Sequence, residues 1–147
     1  LETYQISYQA NNFALFERAF VHSSYTKRPN EENKQNGIVL AENVNNCVPL
    51  STKSNERLEF LGDGVLELII KYYLYRRFPK ADEQFMSDKK IALVKNETIG
   101  KIAYEMGLNK WLLLSNHAEE KKIRVNYRQL GCLFEAFLGA FFWMPTT

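Results

Sequence analysis

Glu56, Glu59 and Asp63 follow one another at intervals of three and four residues, and another acid, Glu135, stands in an apolar stretch near the other end of the chain. On a helix, residues four apart lie one turn above each other. Glu59 and Asp63 therefore share a face, with Glu56 one turn further back. Neither Glu59 nor Asp63 has a base four positions away, and Arg57 is expected to point elsewhere. The neighbours are Leu, Phe, Val and Ile, which predicts that this acidic face lies near the core. Glu135 poses the same problem more sharply. Within residues 130–142 every other residue except Gly131, Cys132 and Gly139 is hydrophobic. A carboxylate there is costly to bury unless it is paired, protonated or bound to a metal. One solution brings Glu135 against Glu59 and Asp63 across a helix–helix contact. Three converging carboxylates suit a hard divalent cation, Mg2+ or Mn2+. A crowded surface position, or pairing with a distant lysine, stays open beside it.

Helices must position these groups. Phe13, Phe16, Ala19 and Phe20 recur at helical spacing and predict one or two helices over residues 7–24. Ser54 or Asn55 is expected to cap a helix that carries Leu58, Leu61, Val65, Leu66, Leu68, Ile69 and Tyr72 and ends at Phe78-Pro79. Further helices are predicted over about residues 87–95, over 97–106 with Gly107 as the stop, and over 127–143. Trp111 to Leu114 is a short apolar piece. Gly62 and Gly139 fall inside helices, where glycine costs about 1 kcal/mol. They make sense where two backbones approach closely. No segment alternates as a strand does, so the expected class is all-α.

The chain has 147 residues, 46% apolar and 24% charged, which suits one globular domain. A loop insertion is expected at about residues 26–54. From Tyr25 to Asn55 there are seven asparagines and two prolines, with few large apolar side chains. A net charge of +2 says little about nucleic acid. No apolar run reaches the length of a membrane span, and the first residues lack the order of a secretion signal. Cys47 and Cys132 form neither a metal-ligand spacing nor a disulfide framework. An intracellular compartment is the expectation, cytoplasm and nucleus not being distinguished. Lys121, Lys122, Arg124 and Arg128 form a basic run with no acid between them. It is either a solvated loop or a set of phosphate contacts. His22 and His117, the only histidines, give no general-base pair with a serine or cysteine.

Asn55, Glu56, Arg57, Leu58, Glu59, Phe60, Leu61, Gly62 and Asp63 resemble the signature motif of the ribonuclease III family almost letter for letter. Residues 19–25 resemble that family's first block. Phe78-Pro79, Asp82-Glu83 and residues 93–97 resemble its middle, and residues 134–140 its last catalytic helix. The resemblance implies an all-α endonuclease domain, a helical bundle that dimerises, over residues 1–147. It implies hydrolysis of double-stranded RNA by a metal-activated water, leaving a 5′ phosphate and a 3′ overhang. Glu59, Asp63 and Glu135 are then the catalytic metal ligands. Glu56 and Glu83 support the cleft or a second metal, and Phe60 packs into a partner subunit. A homodimer is the expected assembly, with a heterodimer open.

The pattern departs at Cys132. The family places an aspartate three residues before the final glutamate, and no aspartate follows Asp88 in this chain. A thiol is neutral unless its pKa is lowered, and sulfur is a soft ligand. The departure leaves several consequences open: weaker catalysis with water in the ligand's place, a preference for Mn2+ or a softer ion, or a non-catalytic RNA-binding or assembly subunit. Simple core packing of Cys132 is a further reading. No double-stranded-RNA-binding domain is expected within these residues.

Overall fold

The computed structural model describes residues 13–26, 34–37 and 53–143. Most of the asparagine-rich segment at 26–54, Cys47 and the expected helical residues 7–12 lie outside the described residues. Among the described residues the fold is all-α. The helices include α1 (Phe13–Ala19), α2 (Glu56–Arg77), α3 (Glu83–Val94), α4 (Asn96–Glu105), α5 (Asn116–Glu120) and α6 (Tyr127–Trp143), with 3-10 turns at Leu108–Trp111 and Ile123–Val125 and a further helical turn over residues 23–26. Extended pairing among the described residues is a single bridge between Val21 and Leu113. No helix among them is long and apolar enough to cross a membrane.

The apolar α6 is the axis, and α2 and α4 pack against it. One cluster of buried side chains joins Ala103, Leu108, Leu112, Leu130 and Leu133. A second joins Ala19, Leu58, Ala136 and Ala140. Phe20 packs against both.

Helix α2 has Glu56 and Glu59 in its first turn and Arg76 and Arg77 in its last, the arrangement that complements the helix dipole. It ends where Phe78 precedes Pro79 and leaves the helical region. Of the two expected caps, Ser54 is the one that bonds the helix start, its Oγ accepting from the Glu56 amide at 3.5 Å. Asn55 makes no side-chain cap: its backbone is already in the αR region, and its amide Nδ2 donates to the Ala19 carbonyl at 3.0 Å in a buried position. That bond ties the end of α1 to the start of α2. Helix α3 begins four residues earlier than expected. Asp82 accepts from the Phe85 amide at 2.9 Å and supplies the cap that the apolar periodicity did not signal. Gly107 ends the α4 region with φ 76°.

Candidate metal centre

The centre forms where α2 crosses α6. The expectation that Gly62 and Gly139 mark a close approach holds in detail. A Cβ on Gly62 would land on the Glu135 carbonyl, and one on Gly139 would land on the Leu58 carbonyl. The two backbones touch, so side chains that flank the contact are driven together. Glu59 stands three residues before Gly62 and Asp63 one after it, while Glu135 itself supplies the contacted backbone.

The donor atoms of Glu59, Cys132 and Glu135 all lie within 4.8 Å of one another. Glu135 is 7% exposed, Glu59 and Cys132 are half-buried, and Asp63 is exposed. The acidic face therefore sits at the rim of the core rather than within it. Burial pushes the Glu135 carboxyl up to about 7, with the charges of Asp63 and then Glu59 adding to the rise. Asp63 is thus near enough to act on Glu135, although it stands outside the tight group of three. Burial, with the neighbouring Glu59 and Glu135 carboxylates, also pushes the Cys132 thiol up to about 12. The thiol is therefore neutral at ordinary pH. Its Sγ accepts from Asn96 Nδ2 and donates to the Arg128 carbonyl, each at 3.8 Å.

This donor set fits a divalent cation. Two anions press on a buried third group, and the forces that shift Glu135 include no positive charge. A cation among them relieves the repulsion and the cost of burial together.

Other residues singled out from the sequence stand apart from this group. Glu56 is exposed, and its carboxylate accepts from Ser54 Oγ at 3.1 Å. Glu83 opens α3, accepts from Ser87 Oγ at 2.6 Å, and lines a groove of about 410 Å³ with Leu68, Tyr72, Tyr75 and Met86. Phe60 is 85% exposed on the outer face of α2. In the basic run, Lys121, Lys122 and Arg128 are exposed. Arg124 is not free as a solvated base would be. It pairs with the Glu119 carboxylate and donates from Nη1 to the Asn109 carbonyl at 2.7 Å. The acid that neutralises it comes from just before the run, from α5.

Sequence reasoning missed Asn96 as the residue behind Cys132. It also missed a second close crossing, where a Cβ on Gly100 would strike the Tyr127 carbonyl and one on Gly131 would meet Asn96. Gly131, beside Cys132 in an apolar helix, was the available signal. Nothing in periodicity pointed to Asn96.

The chain matches the Ribonuclease III domain family over residues 56–144. It is 33% identical over 137 residues to Ribonuclease 3 of Azobacteroides pseudotrichonymphae, covering 93% of this chain and 44% of that one. It is 38% identical over 128 residues to Ribonuclease 3 of Enterococcus faecalis, covering 87% and 48%. The chain thus spans about half the length of these curated relatives. Among solved structures, the nuclease domain of ribonuclease III from Campylobacter jejuni superposes with a TM-score of 0.72 at 29% identity, covering 91% of this chain and 77% of that one. That domain has a flexible region involved in dimer formation. Dicer from Pichia stipitis superposes with a TM-score of 0.55 at 26% identity, covering 92% and 46%.

Proposed function

Because the chain belongs to the ribonuclease III family, we propose that it is an endonuclease of double-stranded RNA whose cutting centre is the α2–α6 crossing. The observation that carries this reading is the convergence of Glu59 and Glu135, with Asp63 pressing on the buried Glu135. Glu59, Asp63 and Glu135 would hold Mg2+ or Mn2+. An ion of this type supplies an acidified water and a positive charge against the phosphate.

The chain's own groups do the rest. Glu135, buried and fixed by the Gly62 contact, anchors the floor of the centre. Asp63 and Glu59 stand toward solvent, which leaves one side open to a phosphodiester. Hydrolysis adds a water oxygen to phosphorus and breaks the P–O3′ bond. One fragment keeps a 5′ phosphate and the other ends in a 3′ hydroxyl. Lys121, Lys122 and Arg128 are the available contacts for backbone phosphates, the sequence-independent mode expected for duplex RNA. Glu56 and Glu83 act from outside the tight group, as support for the cleft. The reading keeps one domain with an insertion at about residues 26–54.

Two cuts on opposite strands need two centres, and a homodimer supplies them. The outer face of α2 supports this assembly. Phe60, Leu68, Tyr72 and Tyr75 are each at least 60% exposed along it, and clustered exposed apolar side chains mark interaction surfaces.

The test is cleavage of a long, perfectly paired RNA in Mg2+ and, separately, in Mn2+. The wild type is expected to cut, Glu135→Gln to lose at least ~100-fold, and Cys132→Asp to cut as well or better. The neutral thiol at Cys132 favours a second reading, a weakened or silent subunit that binds RNA or a partner. Cleavage that appears only in Cys132→Asp selects the silent form. RNA binding without cleavage in every variant rejects the nuclease.

A further inference from the structure

We propose that Cys132 makes the α2–α6 centre selective for a thiophilic divalent ion such as Co2+ or Zn2+, bound through sulfur together with Glu59 and Glu135, over Mg2+. The proposal rests on the reading of this crossing as a metal centre. Cys132 Sγ is one of the three donor atoms within 4.8 Å, so an ion seated between the two carboxylates meets the sulfur. Glu135 points to an ion independently of the thiol. It is 7% exposed, and the charges that act on it are the carboxylates of Asp63 and Glu59, with no cation among them.

Sulfur changes which ions are welcome. Mg2+ demands near-ideal octahedral oxygen at about 2.0–2.1 Å and gives up water reluctantly. First-row ions later in the series accept mixed sulfur and oxygen sets, with a bond from zinc to sulfur of about 2.3 Å. The second layer also suits a sulfur ligand. Asn96 aims an amide N–H at Sγ from the side of α4, and that donor remains when the thiol proton passes to solvent on metal binding. An aspartate in place of Cys132 would add an oxygen and remove the sulfur preference.

The experiment is a Co2+ titration of the whole chain in a phosphine reductant, followed by absorption, with folding checked by circular dichroism. Wild type is expected to develop visible cobalt bands together with a near-ultraviolet sulfur-to-cobalt band. Cys132→Ser is expected to keep the visible bands and lose the near-ultraviolet one. Competition with Mg2+ is expected to show the preference for Co2+ falling at least ~10-fold in Cys132→Asp. Visible bands without the sulfur band in wild type overturn the proposal and leave the metal centre standing. A sulfur band that survives Cys132→Ser arises from Cys47 and also overturns it. A folded wild type that binds no Co2+ overturns both the proposal and the metal-centre reading.

Discussion

Helix α6 is crossed twice at glycine, and the two crossings do different work. At Gly131 it meets α4, where Gly100 sits under the Tyr127 carbonyl and Gly131 sits under Asn96. Ile99 and Ala103 are buried there, and Tyr104 and Tyr127 pack with ring centres 5.7 Å apart. At Gly139 it meets α2, where Gly62 sits under the Glu135 carbonyl. That crossing carries Glu59, Asp63 and Glu135. The steric device is the same, so the close approach of backbones does not itself make a site. Chemistry enters through what flanks the glycines: apolar and aromatic groups at one crossing, uncompensated carboxylates at the other. Cys132 belongs to both. Its Sγ is tied to Asn96 at the α4 side and stands among the acids at the α2 side.

The strongest test of that comparison adds a methyl group at each crossing. Gly62→Ala and Gly100→Ala both place a Cβ against a backbone carbonyl, which no rotamer change relieves. Each is expected to cost at least about 3 kcal/mol, read as a lower urea midpoint at unchanged slope. The two should suffer alike, because the obstruction at both is a main-chain carbonyl. A midpoint for Gly100→Ala close to wild type, with Gly62→Ala unfolded, would break the equivalence and leave only the acidic crossing tight.

The second test separates the crossings by charge. Folding raises the Glu135 carboxyl from an ordinary value of 4.5 to about 7. Between these values the folded chain keeps a proton that the unfolded chain has lost. Metal-free stability should therefore fall as pH rises from about 5 to about 8, by up to about 3 kcal/mol. Glu135→Gln removes that slope and should be the more stable protein at pH 8. A saturating divalent ion should stabilise wild type most at pH 8, where the carboxylate is already ionised, and least at pH 5. The α4 crossing carries no such acid, so Gly100→Ala should lower the whole pH curve without changing its shape. Thermal melts across that range, with chelator and with Mn2+, check each part. A flat metal-free curve in wild type would mean that Glu135 is not held under strain.

Much of the acidic crossing was legible because its residues violate ordinary patterns. A glutamate in an apolar helix, acids four apart with no base and glycines inside helices each carry a cost that a fold must offset. Apart from Gly100 in α4, all of them concern α2 and α6. The other crossing was harder to read, because Ile99, Ala103 and Leu130 look like any helical core, and its one signal was Gly100 and Gly131 inside predicted helices. Ends of elements depend on single hydrogen bonds, which is why Asp82 started α3 before its apolar period began and Asn55 ties the start of α2 to Ala19 without capping it. Arg124 is the same lesson in charge. Its partner Glu119 lies five residues away across a left-handed Lys122, a geometry that helical spacing does not anticipate.

The smallest expected effect lies two residues from Gly62, at Gly64. A Cβ there meets nothing within 4 Å, and the position is exposed in the middle of α2. For the single chain, Gly64→Ala should therefore stabilise by about 0.5–1 kcal/mol through helix propensity and a less flexible unfolded state. Gly64 also stands four residues after Phe60 and four before Leu68, on the exposed apolar face proposed to meet a second copy. In a dimer closed on that face the added methyl intrudes. Dilute protein should then gain in urea midpoint while sedimentation equilibrium records weaker self-association. The two readouts move in opposite directions only if this glycine is loose within its own chain and close-packed against the next. A gain in stability with association unchanged would put the dimer seam elsewhere on α2. Alike in sequence and one turn or less apart, Gly62 and Gly64 would then differ only in which of them a neighbouring helix touches.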